Sequence, residues 1–255
     1  EMERKTRWVA TSLDGTEDSR QMGFGLVASD NGEDLPFSFK YNGKISKDFL
    51  KGWKISKSRK KLDSNRTEHT ITYTDPQTAL EVNCVAIEYH DFPTVEWIVY
   101  FENTSSEKTP ILSEIKALDI SLESPEKNEK VYLHHHTGDT CSADSYQPHK
   151  SEMIPQKSIR ISPCAGRPTN GAFPYFNLEL NHRGVIVVVG WPGQWYSEFT
   201  NQQDKGIHVC AGQELTNFRL LPGEKVRTPL VVLQFWQGDY IRSQNIWRKW
   251  MLTHN

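Results

Sequence analysis

Three stretches of the chain gather side chains that could handle a polar ligand. The first is His134-His135-His136, followed at once by Gly138-Asp139-Thr140. On a strand, residues two apart share a face, so His134 and His136 would present two imidazoles to one side at a spacing that can hold a metal. No third ligand is identifiable, which favours imidazoles lining a polar cleft or lying on the surface, with Asp139 turned toward the same cleft as an acid or base. The other two stretches are loops: Gly166-Arg167-Pro168-Thr169-Asn170-Gly171 and Trp191-Pro192-Gly193-Gln194-Trp195. Trp faces stack on the apolar faces of sugar rings, while Arg, Asn and Gln hydrogen-bond hydroxyls, so Arg167, Asn170, Trp191, Gln194 and Trp195 are candidates for a sugar-facing surface. The competing reading makes the two indoles plugs at the end of a β-sandwich.

What must position these loops is the segment between them. Phe173, Tyr175 and Asn177 alternate with Pro174, Phe176 and Leu178, and residues 185–189 form an apolar run closed by Gly190. Two buried strands joined by a turn at residues 181–184 explain this pattern, and both loops then leave the same end of that hairpin. The remaining chain repeats the theme. Residues 37–41 alternate before the tight turn Asn42-Gly43, and strand character is expected to continue over residues 49–55. Residues 67–74 put Thr67, His69, Ile71 and Tyr73 on one face, and residues 80–89 and 94–101 are further strands. Residues 111–122 fit a helical stripe or a bulged strand, and their surroundings favour the strand. Residues 131–136 form a strand, residues 137–154 read as a long polar loop, and residues 207–211, 215–221 and 228–236 as three more strands. Residues 1–34 read as irregular edge structure. From Asp239, a good N-cap, apolar residues recur at helical spacing, so the chain should end in an amphipathic helix whose stripe needs either the sandwich or a following domain as partner. The fold class expected is therefore all-β, a two-sheet antiparallel sandwich over residues 1–238 with a helix over residues 239–255.

Composition narrows the function classes. With 255 residues the chain can bury a substantial core as one all-β domain, and Trp 8, Tyr 9 and Phe 11 supply it with large apolar side chains. Lys+Arg 30 against Asp+Glu 32 leaves a net charge of -2, so no overall field draws the chain to a polyanion and nucleic acid is not an expected partner. No apolar stretch is long enough to span a bilayer, so no membrane partner is expected. Cys84, Cys141, Cys164 and Cys210 lie far apart with no C-x-x-C pair, which argues against zinc ribbons and thioredoxin-like chemistry and leaves disulfides and free thiols both open. No nucleophile elbow, phosphate-binding loop, zinc-protease or EF-hand motif occurs, and no pair of carboxylates stands out for glycoside hydrolysis.

As an ordered set, several pieces resemble the N-terminal β-supersandwich of family 36 glycoside hydrolases, the α-galactosidase group, whose fold is similar to galactose mutarotase. The pieces are Pro36-Phe37-Ser38-Phe39 with Tyr41 and Gly43, Tyr73-Thr74-Asp75-Pro76, Phe92-Pro93-Thr94-Val95-Glu96-Trp97, Gly166-Arg167 with Asn170 and Pro174 to Leu178, Gly190 to Trp195, and Pro222-Gly223-Glu224 with Thr228-Pro229. The resemblance implies a retaining enzyme in which the sandwich precedes a (β/α)8 catalytic barrel, with the terminal helix as connector. It places the catalytic Asp residues on that barrel, so no catalytic residue and no metal or cofactor is expected in this chain, which alone should be inactive. Its partners would be an α-galactoside carbohydrate bound by the full-length enzyme, the C-terminal barrel, and a second copy in a homo-oligomer. The small hydroxyl residues common after the Arg in that family are replaced by Pro168-Thr169. Two other readings stand beside it: a free-standing carbohydrate-binding module using Trp191 and Trp195, and a mutarotase-like epimerase using His134 or His136 with an acidic residue.

Overall fold

The computed structural model describes residues 35–122 and 129–254, and the irregular structure expected over residues 1–34 lies outside them. Among the described residues the strands run, in chain order, β1 (Ser38–Tyr41), β2 (Lys44–Ile45), β3 (Lys54–Lys61), β4 (Arg66–Thr74), β5 (Leu80–Tyr89), β6 (Thr94–Asn103), β7 (Leu112–Leu122), β8 (Val131–His136), β9 (Pro148–Glu152), β10 (Ser158–Ile161), β11 (Tyr175–Leu180), β12 (Arg183–Gly190), β13 (Trp195–Asn201), β14 (Ile207–Gln213), β15 (Asn217–Phe218), β16 (Lys225–Arg227) and β17 (Leu230–Gln237), followed by a helix over Tyr240–His254. They build two antiparallel sheets. A ten-stranded sheet has the order β3-β4-β5-β6-β17-β12-β11-β8-β9 with β16 beside β6, and a seven-stranded sheet has the order β10-β13-β14-β7-β1-β2 with β15 beside β7.

Alternation in the sequence becomes the inside and outside of the sandwich. In β4, Thr67, His69, Ile71 and Tyr73 are the buried positions, as their spacing predicts. From β6, Trp97 and Phe101 point into the space between the sheets, where Trp97 Nε1 donates to Ala117 O at 2.8 Å and the Phe39 ring of β1 lies 5.0 Å from Phe101 edge to face. The 111–122 ambiguity resolves as strand β7, with a bulge at Glu114 (φ 47) where the pairing with β1 shifts register. Asn42 (φ 51) and Gly43 (φ 78) make the tight turn between β1 and β2. The central hairpin is tighter than residues 181–184 suggest: Asn181 and His182 alone form the turn, and Arg183 already pairs with Leu180. Gly184 is required there, because a Cβ would fall 2.1 Å from Leu178 O and 2.5 Å from the Trp236 ring.

Three expectations need correction. Residues 49–53 are not a strand, and only Lys54 and Ile55 of the expected stretch are, as the start of β3: a helical turn over Ser46–Phe49 and a 3-10 turn over Leu50–Gly52 come first, because Phe49 and Trp53 cluster with Tyr41 at the sheet end instead of extending. The polar 137–154 stretch contains β9, paired with β8. Most of residues 215–221 is loop, with only Asn217–Phe218 in a strand and Leu215 92% exposed. Strands β2, β10, β13 and β16, and β3 beyond Ile55, lie outside the expected strands. The terminal helix does follow Asp239, whose Oδ1 accepts the Arg242 backbone N–H at 2.7 Å. It lies on the outer face of the large sheet, with Trp250 against Tyr89 and Val232, and Trp247 against Tyr175. The sandwich itself is therefore the partner of its apolar stripe. Beneath it, Asn177 accepts from Trp236 Nε1 and donates to Ser243 Oγ, both at 2.8 Å, so a buried polar residue is satisfied from both layers.

Candidate functional site

The two loops that leave the central hairpin are tied together by Gln194. Its Oε1 accepts the Gly166 N–H at 3.0 Å, and its Nε2 donates to Pro163 O and, at 2.7 Å, to Glu214 Oε2. Both ends of this amide are committed to positioning the loops, so it braces the surface. Trp195 corrects the expectation of an exposed platform. Its ring is completely buried against Phe176 and its Nε1 donates to Pro168 O at 2.7 Å, because it opens strand β13 on the core-facing side. Trp191 is half-buried with the Arg227 guanidinium 5.3 Å from its ring centroid, and Arg167 is exposed.

Asp139 joins this loop pair and not the histidines. It forms an isolated parallel bridge with Asn170; its N–H reaches Thr169 O at 2.6 Å, and its Oδ1 accepts from Cys141 N (2.9 Å) and Ser145 Oγ (3.2 Å). The approach is close enough to demand glycine before it, since a Cβ on Gly138 would lie 2.0 Å from Thr169 O. Asn170 donates its side-chain amide to Cys164 O at 3.3 Å and Sγ at 3.1 Å. Arg167, Asn170, Asp139, Trp191 and Gln194 thus belong to one connected loop cluster, while Trp195 supports it from below.

His134 and His136 do face the same side of β8, but into the seam beneath the terminal helix. His134 stacks on Tyr240 with centroids 4.2 Å apart, and its Nε2 lies 2.7 Å from Glu179 Oε2, which also takes Lys150 Nζ at 3.1 Å. Burial pushes the Glu179 carboxyl up, yet the bonds from His134 and Lys150 outweigh it and hold it below the usual carboxylate range. His136 packs near Phe173 and Tyr175, and burial holds its imidazole below the usual histidine range. His135 faces the other way, stacked 5.1 Å from His149, and burial with the neighbouring imidazoles pushes it down to about 4. Among the described residues no group of three or more His, Cys, Asp or Glu could hold a metal ion. Sequence reasoning passed over Glu179, Lys150 and Tyr240. Glu179 sits on the outward parity of β11, but only the register Asn177↔His134 reveals that it neighbours the imidazole.

A second polar cluster, also unforeseen, lies on the seven-stranded sheet. Asp119 accepts from Ser38 Oγ and from His208 Nε2 at 2.7 Å, with Lys116 Nζ at 3.7 Å. Burial alone would raise this carboxyl; the His208 and Ser38 bonds and the lysine charges bring it instead to about 2.

No family model matches the chain, and no curated protein matches its sequence. Solved structures match it in fold. The alpha-galactosidase from Lactobacillus brevis aligns with a TM-score of 0.60 at 14% identity, over 81% of this chain and 30% of its own. GH36 alpha-galactosidase AgaA from Geobacillus stearothermophilus gives 0.56 at 15% identity, over 80% of this chain and 30% of its own. The alpha-N-acetylgalactosaminidase NagBb from Bifidobacterium bifidum gives 0.51 at 9% identity, over 87% of this chain and 34% of its own. What the chain shares with these enzymes is a fold, the two-sheet antiparallel sandwich, and it spans only about 30% of the length of the alpha-galactosidases it matches.

Proposed function

We propose that this chain is the non-catalytic sandwich domain of a glycoside hydrolase acting on α-galactosides, and that its loop cluster helps wall the sugar pocket or meets the catalytic domain or a second copy. The observation that carries this reading is the fold match. The match takes in 80% of this chain and 30% of GH36 alpha-galactosidase structures, including ones in complex with stachyose and raffinose. The ordered sequence pieces quoted above point to the same family, and on this reading the helix after β17 would be the connector to the catalytic barrel. Its loops supply what a wall of a sugar pocket needs: an exposed guanidinium at Arg167, a half-exposed indole at Trp191, and backbones held rigid through Gln194 and Asp139.

The rival readings lose support at particular residues. A free-standing binding module loses one of its two platforms with the burial of Trp195, and an epimerase would need His134 exposed, whereas Tyr240 covers it. Two measurements test the proposal. The chain alone, assayed on an aryl α-galactoside, should show no turnover, and turnover that persists through purification would place catalysis here and refute it. The reading frame of the gene beyond residue 255 should encode a barrel carrying the catalytic carboxylates, and its absence would favour the module.

A further inference from the structure

A second polar cleft lies away from the loop cluster, where the β11–β12 turn, the start of β8 and the start of the terminal helix converge. It has a volume of about 470 Å³ and is lined by Glu129, Lys130, Tyr132, Glu179, Asn181, His182, Gly238 and Asp239. That volume falls within the roughly 300–1,000 Å³ of small-ligand clefts. The lining holds no aliphatic side chain, so an apolar ligand would gain little there. Its charges are arranged against each other. Glu129 is bound by the Arg183 guanidinium at 3.0 and 3.1 Å, Glu179 by His134 and Lys150, and Lys130 by Glu152 at 3.3 Å. With Glu129 and Glu179 paired in this way, and Asp239 and Lys130 of opposite sign, the cleft offers neither an anion nor a cation a strong field, and it is not a metal cluster. What remains is hydrogen-bonding capacity. Glu179 spends one oxygen, Oε2, on both His134 and Lys150, which leaves Oε1 able to accept; Asp239 spends Oδ1 on the helix cap, which leaves Oδ2. The Asn181 amide, the His182 imidazole and the Tyr132 phenol add donors and acceptors around them.

We infer that this cleft is a binding site for a neutral polyhydroxylated ligand, a pyranose unit held by Glu179 Oε1, Asp239 Oδ2 and the side chains of Asn181 and His182. Pairs of hydroxyls on adjacent ring carbons can each donate to a carboxylate oxygen while accepting from an amide or imidazole. The positions are held firmly. Glu179 is fixed by the His134 imidazole and the Lys150 ammonium, Asp239 by the helix it caps, and Asn181 and His182 by a two-residue turn. This site is independent of the loop cluster and stands whether or not the chain belongs to a galactosidase.

The test is a titration of D-galactose into the whole 15N-labelled chain, followed by backbone amide shifts. Saturable shifts centred on Asn181, His182, Gly238 and Asp239 are expected, and affinity should fall by about tenfold in Glu179→Gln and in Asp239→Asn, since each removes a charge-assisted hydrogen bond. Asn caps helices as well as Asp does, so the second variant keeps the helix start. His182→Gly, which suits the positive φ of 59°, leaves Glu179 and its partners untouched and should also weaken binding. No saturable shift up to the solubility limit, shifts confined to residues 166–171 and 191–194, or unchanged affinity in all three variants would overturn the site. Stronger binding of ethylammonium than of galactose at the same amides would overturn the assignment to a neutral ligand.

Discussion

Trp191 and Trp195 have the same side chain and lie four residues apart, yet the fold gives them opposite roles. Trp195 is wholly enclosed and hydrogen-bonded, so Trp195→Ala should cost about 3–5 kcal/mol in denaturant unfolding, the range for emptying a large aromatic site. Trp191, half-exposed beside Arg227, should cost about 1 kcal/mol or less when changed to Ala, and under the proposed function the same change should weaken galactoside binding by the full-length protein. Equal losses of stability would make both of them plugs. Asp119 makes a prediction of another kind. Its carboxyl titrates at about 2 in the fold against an ordinary 3.8, so its folded value is depressed. The resulting stabilisation, about 2 kcal/mol, is complete above the unfolded value and is lost as pH falls from about 4 through about 2. Asp119→Asn should therefore flatten the acid limb of a stability-versus-pH curve in that window. A variant whose acid limb matches the parent's would show that the His208 and Ser38 contacts do not hold this charge.

At the level of elements, legibility followed burial. Strands β4, β5 and β6 could be read almost to the residue because one face of each is in the core, and the alternation of Ile71 and Tyr73 or of Trp97 and Val99 records that face. Strand β9 could not, because the edge strand Pro148–Glu152 is polar and largely exposed on both faces, leaving no period to see. The histidine seam was hidden for a different reason: His134 and Glu179 lie 45 positions apart in the chain, and only strand register joins them. The terminal helix was legible from its cap and stripe, but its attachment was not. That attachment depends on Asn177, whose loss would leave the buried Trp236 N–H without an acceptor. Asn177→Ala should cost about 2–3 kcal/mol, more than the roughly 1 kcal/mol expected for removing the cap in Asp239→Ala. In native-state hydrogen exchange both should loosen the helix. If Asn177→Ala instead left helix protection unchanged, the helix would be held by its indoles alone.

For the molecule as a whole, the open question in a two-sheet sandwich is what keeps its edges from pairing with other chains. The ten-stranded sheet ends at β3, an eight-residue strand exposed at every position, with the sequence KISKSRKK. Among the described residues no further strand follows β3 in the sheet, and a sheet edge of that length is a template for strand addition, yet five of its eight side chains are Lys or Arg in a chain whose net charge is only -2. The concentration of positive charge along one edge makes a second copy of that edge repulsive, since like charges would be brought opposite one another at a strand spacing of about 4.8 Å. The basic run reads, on this account, as protection of an edge and not as a polyanion site. Replacing Lys54, Lys60 and Lys61 together by Thr keeps strand propensity while removing three of those charges. Light scattering at low ionic strength should then show larger, concentration-dependent species relative to the parent chain. Added salt should move the parent in the same direction by screening the repulsion over a Debye length of about 8–10 Å. Identical scattering from variant and parent at every salt concentration would mean that the edge is guarded by something other than its charge.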